Sequence, residues 1–213
     1  PYQLYTGKGE QTNYEQMAKA LGQADIILFG EEHNNAIAHW LQLELTKDLH
    51  KAHSGALIMG AEMFEADNQL IIDEYLQGLV PPDKIQEARL WNNYETDYKP
   101  LLGFAAQNSL PFIATNIPRR YASAVYKKGG FSALEKLSEE ARQYIAPLPV
   151  PYDPELGIYK SMTKAMPMAP HAMQRANLQN LAKAQAIKDA TMAHFISQHA
   201  QEGTVFLHFN GRG

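Results

Sequence analysis

The chain has 213 residues, of which 45% are hydrophobic and 20% charged, with a formal net charge of −4; this is the composition of an ordinary globular protein of one domain, or of one domain with a small appendage. The basic residues are dispersed, so neither nucleic acid nor an anionic membrane surface is expected as a partner, and no apolar run approaches the ~20 residues of a membrane span. The absence of cysteine excludes disulfides and thiolate metal sites, and the first residues, "PYQLYTGKGE", lack the pattern of a signal peptide, so the printed chain is expected to be soluble.

Four short apolar runs predict buried strands, and helix-length segments separate them. The runs are "DIILFG", "ALIMGAE", "PFIATN" and "TVFLHF". Apolar residues at helical spacing follow the first run, "EADNQLIIDEYLQGL" follows the second, and a further helix is predicted from about residue 97 to 108. Strands that alternate with helices are joined by right-handed crossovers, so we predict an α/β fold with a mostly parallel sheet flanked by helices.

The alternation stops between Arg120 and Gln201, where no strand-like run occurs. The segment "IAPLPVPYDPELGIYKSMTKAMPMAPHAM", residues 145–173, is rich in proline and methionine, which predicts an irregular lid. A long helix is predicted after it, from about residue 171 to 199. We therefore predict a core domain of residues 1–119 and 200–213, and a smaller helical subdomain of residues 120–199 that carries the lid.

Polar side chains stand at or after the end of each predicted strand. They are Glu31, Glu32 and His33 after the first, Glu62 at the end of the second, Asn116 and Arg119 after the third, and His208 and Asn210 in the fourth. Because ligands of parallel sheets bind beyond the carboxyl ends of the strands, these residues could bind a metal, catalyse acid–base chemistry or hold an anion.

A structural interpretation of the same residues stays open. Glu31 and Glu32 suit the first turn of a helix capped by Asn34 or Asn35, and Glu62 suits a buried ion pair with Arg119. The remaining histidines are predicted to lie on helical surfaces without a role; they are His39, His50, His53, His194 and His199.

Longer blocks of the sequence resemble the ChaN-like haem-binding lipoprotein family. These blocks are "FGEEHNN", "GAEMFEADNQLIIDEYLQG", "NNYETDYKPLLGFAAQNSLPFIATNIPRRY" and "AQAIKDATMAHFI", in the order of the family. The resemblance implies an α/β domain with a small helical domain, a role in bacterial haem uptake, and a lipid anchor at the outer membrane in the full-length protein. It also implies haem iron held by a tyrosine, propionates contacted by a histidine of a partner chain, and two haems face to face in a dimer.

The same family is grouped with erythromycin-esterase-like and Tiki-type proteins, which share a Gly-Glu-x-His element. Here the element is Gly30, Glu31, Glu32 and His33. Members of the family tend to carry a further histidine shortly after the glycine that ends the last strand. The printed sequence ends at "HFNGRG", so the hydrolase-like set is incomplete in it.

A haem site needs an apolar slot, one axial donor and polar groups at the rim, and the lid offers all three. For ferric protoporphyrin IX we expect Tyr159 as the axial ligand, then Tyr152, with Tyr121 or Tyr98 behind them. His171 is the expected propionate contact. The methionines of the lid are expected to line the ring as adaptable packing, although each could instead pack onto the helices; they include Met162, Met166 and Met168.

Three functions follow from these observations. We expect a haem carrier rather than an enzyme, forming a homodimer and exchanging haem with envelope uptake machinery. The alternative is a hydrolase, with or without a metal, in which Glu31 or Glu32 is the general base and His33 the acid or a metal ligand. Glu62 would be the second carboxylate and Arg119 would stabilise an anion. In a third account the charges at the strand ends only pair among themselves.

Overall fold

The computed structural model describes residues 2–164 and 172–211, without the side chains of residues 163–164 and 172–178. The strands are β1 (Leu4–Tyr5), β2 (Gln11–Thr12), β3 (Ile26–Glu31), β4 (Leu57–Glu65), β5 (Phe112–Asn116) and β6 (Val205–Gly211). The α-helices are α1 (Tyr14–Leu21), α2 (Ala36–Ala52), α3 (Gln69–Leu76), α4 (Lys99–Gln107), α5 (Arg119–Lys127), α6 (Glu139–Arg142), α7 (Gly157–Lys164) and α8 (Ala172–His199).

Strands β3 to β6 form one parallel sheet in the order β3-β6-β4-β5, and β1 pairs with β2 in a separate antiparallel ribbon. The register places Leu28 of β3 beside His208 of β6, and His208 beside Gly60 of β4. The predicted α/β fold is confirmed, and each of the four apolar runs is a strand of the parallel sheet. The strand that comes last in the sequence lies inside the sheet.

The two faces of the sheet are covered by different helices. Residues Met59 and Ala61 of β4 belong to the main core, which also contains Leu45 of α2 and Leu102 of α4. The alternate residues of β4 point the other way, where Ile58 packs with Phe206, Ile113 and Ile196 of α8. Both faces of the central strands are therefore buried, which explains why the runs are almost continuously apolar.

Three element boundaries differ from the sequence-based predictions. Strand β4 continues to Glu65, three residues beyond the predicted end at Glu62. The helix predicted from about residue 97 is α4, which begins at Lys99, and a π-helical turn, Tyr94–Tyr98, precedes it. Within the predicted irregular lid, Gly157–Lys164 form α7, so the lid is not irregular there. The helical propensity of "GIYKSMT" is masked in the sequence by the surrounding prolines.

Helices α5, α7 and α8 pack together in the segment predicted as a helical subdomain. Ala122 and Val125 of α5 share a core cluster with Ala184 and Ile187 of α8. The division of the chain at residue 120 stays a prediction. Among residues 2–164 and 172–211, no helix has the length and apolar character needed to cross a membrane.

Candidate functional site

The carboxyl ends of the four parallel strands meet through hydrogen bonds between their terminal residues. The Glu62 Oε2 atom accepts a hydrogen bond of 2.8 Å from the backbone N–H of Gly211. The Asn116 side chain donates one of 2.8 Å to the backbone carbonyl of Glu62. Glu31 ends β3 in the same region, beside β6. The side chains of Glu31, Glu62 and Asn116 therefore lie at one edge of the sheet.

A buried carboxylate, Glu31, forms the centre of the site. Its Oε1 atom accepts a hydrogen bond of 2.6 Å from the Tyr98 hydroxyl and lies 2.9 Å from Nδ1 of His33. Its Oε2 atom accepts a bond of 2.5 Å from the Gln42 amide. A buried carboxylate is costly unless such donors surround it, and here it has them on both oxygens.

The π-helical turn before α4 supplies several of these partners. It places the Tyr98 hydroxyl on Glu31, and burial, together with the hydrogen bond to Glu31, raises the pKa of Tyr98 well above its ordinary range. Asn93, at the start of the turn, donates to the backbone carbonyl of His33 (3.0 Å) and to Asp97 (2.8 Å). Single π-helical turns occur often at functional sites, because the extra residue redirects side chains.

The prediction that His39 lies on a helical surface is wrong. Its side chain is buried in α2, with Nε2 lying 3.0 Å from the His33 carbonyl and Nδ1 lying 3.0 Å from Oε1 of Gln42. His39, Gln42 and Thr46 form a polar stripe at helical spacing beside the apolar stripe of Leu41 and Leu45. The 3–4 residue spacing of these polar residues was the signal in the sequence that could have indicated a buried His39.

His33 connects the buried carboxylate to the surface. Its Nδ1 atom faces Glu31, its ring lies edge-on to Trp91 with centroids 4.8 Å apart, and its side chain is 41% exposed. It opens onto a cleft of about 360 Å³. The cleft, called here the strand-end cleft, is lined by His33, Asn34, Leu90, Trp91, Asn92, Asn93 and Arg119.

Gly211 allows His33 this position. A Cβ atom at residue 211 would lie 2.8 Å from Cε1 of His33 and 3.0 Å from Nε2. Only a glycine at this position of β6 lets the imidazole lie against the strand without displacement.

The structure changes the assignments of several predicted residues. Asn35, one of the two expected caps, caps α2 through its side chain. Glu31 ends β3 and Glu32 precedes α2, which begins at Ala36, so neither glutamate is in the first turn of a helix. The Glu62–Arg119 ion pair, one of the interpretations left open, is not formed, and Glu62 accepts from the Gly211 backbone instead. The Arg119 backbone N–H donates to Oε2 of Glu65 (3.0 Å), and its Nε atom lies 3.7 Å from Oε1 of Glu65.

The reason for this difference is an irregular register between β4 and β5. The pairing shifts between Ala61 and Glu65, so that Glu65 lies opposite Asn116 and next to the start of α5. If the pairing were regular, β4 would be expected to end at Glu62, and Glu65 would not be expected to contact the start of α5. An arginine cluster, Arg89, Arg119 and Arg120, surrounds Glu65 and Asp67.

His208 lies inside the fold rather than at the exposed edge. It is buried, with Nε2 lying 2.7 Å from the Thr115 hydroxyl and Nδ1 lying 3.3 Å from Oδ1 of Asn210. Burial lowers the pKa of His208 to about 4, so the imidazole is neutral near pH 7. This histidine is a hydrogen-bonded core residue.

In the part of the chain that the structure describes, no group of three or more histidine and carboxylate side chains is arranged to hold a metal ion. The histidine and glutamates at the strand ends instead contact tyrosine, glutamine and backbone groups.

Tyr159 lies on α7 and packs against Ala182 and Ala186 of α8. The side chain is only 7% exposed, and its hydroxyl donates a hydrogen bond of 3.0 Å to Asp189. Burial first, and then the neighbouring Asp189 carboxylate, raises the pKa of Tyr159 to about 12. The phenol is therefore protonated near neutral pH in this arrangement.

Tyr152 and an apolar surface lie next to Tyr159. The two tyrosine rings have centroids 5.4 Å apart, and Tyr152 also contacts Phe131. Leu156 and Ile158, at the start of α7, are 50% and 36% exposed. The half-buried Met162 packs against the same cluster. These residues, Tyr152, Leu156, Ile158, Tyr159 and Met162, are called here the lid surface.

Of the other predicted haem contacts, the structure describes Tyr121 and Tyr98. Met166, Met168 and His171 lie outside the residues that the structure describes. Tyr121 is half-buried, and the guanidinium carbon of Arg120 lies 4.4 Å from the centroid of the Tyr121 ring. Tyr98 is fully buried, and its hydroxyl donates to Glu31.

Comparisons with known proteins agree with the fold. A family model described as haem-binding uptake, Tiki superfamily, ChaN matches residues 17–213. A solved structure described as cofacial heme binding to ChaN of Campylobacter jejuni superposes with a TM-score of 0.73 at 18% sequence identity. The alignment covers 99% of this chain and 79% of that chain, and at this identity it shows a shared fold. A search of curated proteins gave no match.

Proposed function

Since the chain belongs to the haem-binding uptake family of the Tiki superfamily that includes ChaN, we propose that it binds ferric protoporphyrin IX through a tyrosine at a dimer interface. The family match over residues 17–213 is the observation that carries this proposal. The proposed role is to accept or pass on haem in the bacterial cell envelope, where a lipid anchor would hold the full-length protein at the outer membrane.

The lid surface supports the proposal because it offers what a porphyrin requires. Haem is a flat apolar disc, and exposed apolar side chains that lie beside polar donors are uncommon without a ligand or partner. Leu156 and Ile158 supply the apolar contact, and the neighbouring Tyr159 and Tyr152, whose ring centroids lie 5.4 Å apart, supply phenolic oxygens. Met162 adds an adaptable side chain at the edge.

Tyr159 is the proposed axial ligand, and Tyr152 is the second choice. A phenolate is a hard anionic donor suited to ferric iron. To bind iron, the Tyr159 oxygen has to leave Asp189 and lose its proton, and α7 has to shift enough to expose it. A single ligand on a short helix would allow haem to be released again, as transport requires.

His171 is the proposed propionate contact and would act from the partner chain, because an imidazole N–H can donate to a carboxylate. Met166 and Met168 are proposed to cover the porphyrin with Met162. These residues complete the site in the dimer, in which two haems would lie face to face.

Titration of hemin into the purified protein tests this function. We expect a saturable Soret band with a phenolate-to-iron charge-transfer band, and we expect Tyr159→Phe to lose the charge-transfer band. Tyr152→Phe is the parallel variant, and Tyr126→Phe is the matched control because Tyr126 is an exposed tyrosine on the neighbouring helix α5. The proposal fails if the wild-type titration shows no saturation at micromolar protein. The choice of ligand fails if the band persists in both variants.

A second candidate function is hydrolysis at the strand-end cleft, and the contact between Glu31 and His33 favours it. The carboxylate lies 2.9 Å from Nδ1 and holds the imidazole, which lines the cleft. In this role His33 Nε2 would take a proton from water, the hydroxide oxygen would attack a carbonyl carbon, and the imidazolium would return the proton to the leaving group. Glu62 would be a second carboxylate, and Arg119 would stabilise an anion.

Turnover of ester and amide substrates, measured with and without divalent metal, tests this second function. General acid–base catalysis is typically worth about 10²–10⁴-fold, so His33→Gln should lower turnover by at least about 10²-fold, and Glu31→Gln should lower it less. His194→Gln is the control because His194 lies on α8, away from the cleft. Activity that survives both His33→Gln and Glu62→Gln would refute the assignment.

A further inference from the structure

We propose that the strand-end cleft binds a small aromatic oxyanion, with the Arg119 guanidinium on the oxyanion and the Trp91 ring beside the aromatic body. The proposed site is the cleft in which the hydrolase candidate would act, so its location rests on that proposed function. Binding of the oxyanion does not require that the protein turn over a substrate. It also predicts a site that is separate from the lid surface.

The charge at the cleft comes from the arginine cluster. Arg89 donates to Glu65 at 2.9 Å and also pairs with Asp67, and Arg120 pairs with Asp67. Within this cluster, three guanidinium groups thus share two carboxylates. In the described part of the chain, the ion-pair contact of the Arg119 side chain is the 3.7 Å approach of its Nε atom to Glu65.

Arg119 is the member of the cluster that faces a ligand. Its side chain is 74% exposed, and it lines the cleft, whereas Arg89 and Arg120 do not. Its outer nitrogen atoms are able to bind an oxyanion in the two-pronged geometry that guanidinium groups favour.

The apolar wall of the cleft is formed by a strained segment. Arg89 has φ of +52°, a left-handed conformation that costs energy in a residue other than glycine. The Arg89 guanidinium donates to Glu65, and the next two residues, Leu90 and Trp91, line the cleft. The Trp91 ring is half-buried between His33 and Tyr98 and offers the rest of its surface to a flat ligand.

The topology of the sheet also favours a ligand here. After β4 the chain passes to the face covered by α4, and after β5 it passes to the face covered by α8. Ligands of parallel sheets bind where neighbouring strands send their connections to opposite faces. Arg119 follows β5 at that point.

The test is an NMR titration of the haem-free full chain with benzoate, phenyl phosphate and the neutral analogue benzyl alcohol. The chain has two tryptophans, Trp40 and Trp91, so the indole N–H signal that remains in Trp40→Phe belongs to Trp91. We expect either oxyanion to shift the Trp91 signal with saturation on the order of 1 mM, while the Trp40 signal stays in place. The ratio of the two dissociation constants, for benzoate and for phenyl phosphate, shows whether the site prefers a carboxylate or a phosphate.

Arg119→Gln should weaken oxyanion binding by about tenfold or more, because a charge-assisted hydrogen bond is lost. Arg120→Gln, one residue further on, should change the affinity by less than about twofold, since Arg120 does not line the cleft. Protein preloaded with hemin should bind benzoate as the haem-free protein does. The proposal is overturned if neither oxyanion shifts Trp91, if Arg119→Gln binds as well as the wild type, if benzyl alcohol binds equally well, or if hemin blocks binding.

Discussion

Two buried tyrosines of the π-helical turn differ in what their hydroxyl groups contact. The Tyr98 hydroxyl donates to the buried Glu31 carboxylate at 2.6 Å, whereas the Tyr94 hydroxyl is buried without a hydrogen-bond partner in the described part of the chain. Tyr98→Phe should lower the free energy of unfolding by about 1.5–3 kcal/mol, because a hydrogen bond to a buried charge is lost.

Tyr94→Phe is the matched control for Tyr98→Phe and should leave the free energy of unfolding unchanged or raise it by about 1 kcal/mol, since it removes an unpaired polar atom. Urea denaturation of both variants measures the difference. Equal losses in both variants would show that packing, rather than the bond to Glu31, dominates.

His208 should make the stability of the protein depend on pH. The pKa of His208 is about 4 in the folded chain and 6.5 in its ordinary state, so the unfolded chain binds a proton that the folded chain does not. The contribution of His208 to the free energy of unfolding is fully present above about pH 6.5. It decreases as the pH falls towards 4, by roughly 3 kcal/mol in total.

Denaturation of the wild type and of His208→Gln between about pH 4 and pH 8 measures this effect, because glutamine does not titrate. The difference in stability between the two proteins should shrink as the pH falls. A difference that is constant over this range would contradict the assignment of a buried, neutral His208.

At the level of residues, the sequence predicted the strand-end carboxylates and His33 but not their partners. Glu31, His33 and Glu62 follow apolar runs, so their position at the edge of the sheet could be inferred. Tyr98 and Gln42 come from a turn and a helix that meet Glu31 only after folding, and no local pattern indicates such long-range contacts.

Two glycines in regular elements should respond oppositely to the same substitution. A Cβ atom at Gly103, within α4, meets nothing within 4 Å, so Gly103→Ala should raise the free energy of unfolding by about 0.5–1 kcal/mol. A Cβ atom at Gly60, within β4, would lie 2.9 Å from the Phe206 ring and 3.3 Å from the Ile113 carbonyl.

Gly60→Ala should therefore lower stability by about 1–3 kcal/mol, because the core would be overpacked. Urea denaturation with both variants checks the pair. A gain in stability for Gly60→Ala would show that the ring of Phe206 moves without cost.

At the level of elements, the sequence predicted strands and long helices better than short or irregular ones. The four strands are short, almost continuous apolar runs, and helices α2 and α8 carry apolar residues at helical spacing, so their type could be inferred. The π-helical turn and α7 could not, because the turn depends on the packing of Tyr94 and Tyr98, and α7 depends on Tyr159 packing against α8.

The proposed dimer predicts that the size of the whole molecule depends on haem. If two haems lie face to face between lid surfaces, hemin-loaded protein should elute as a dimer under conditions in which Tyr159→Phe, titrated with hemin, does not. Size-exclusion chromatography with light scattering measures both masses, with Tyr126→Phe as control. A loaded wild-type protein with the mass of a monomer would contradict the dimer but not haem binding.

Strand β6 lies between β3 and β4, although both of those strands precede it by a long stretch of chain. During synthesis on the ribosome, β3 and β4 emerge long before the strand that joins them. Each then presents an open edge to other nascent chains until residues 205–211 appear. The protein should therefore depend on chaperones most strongly just before β6 is released, and a ribosome that stalls there would leave a product prone to aggregation.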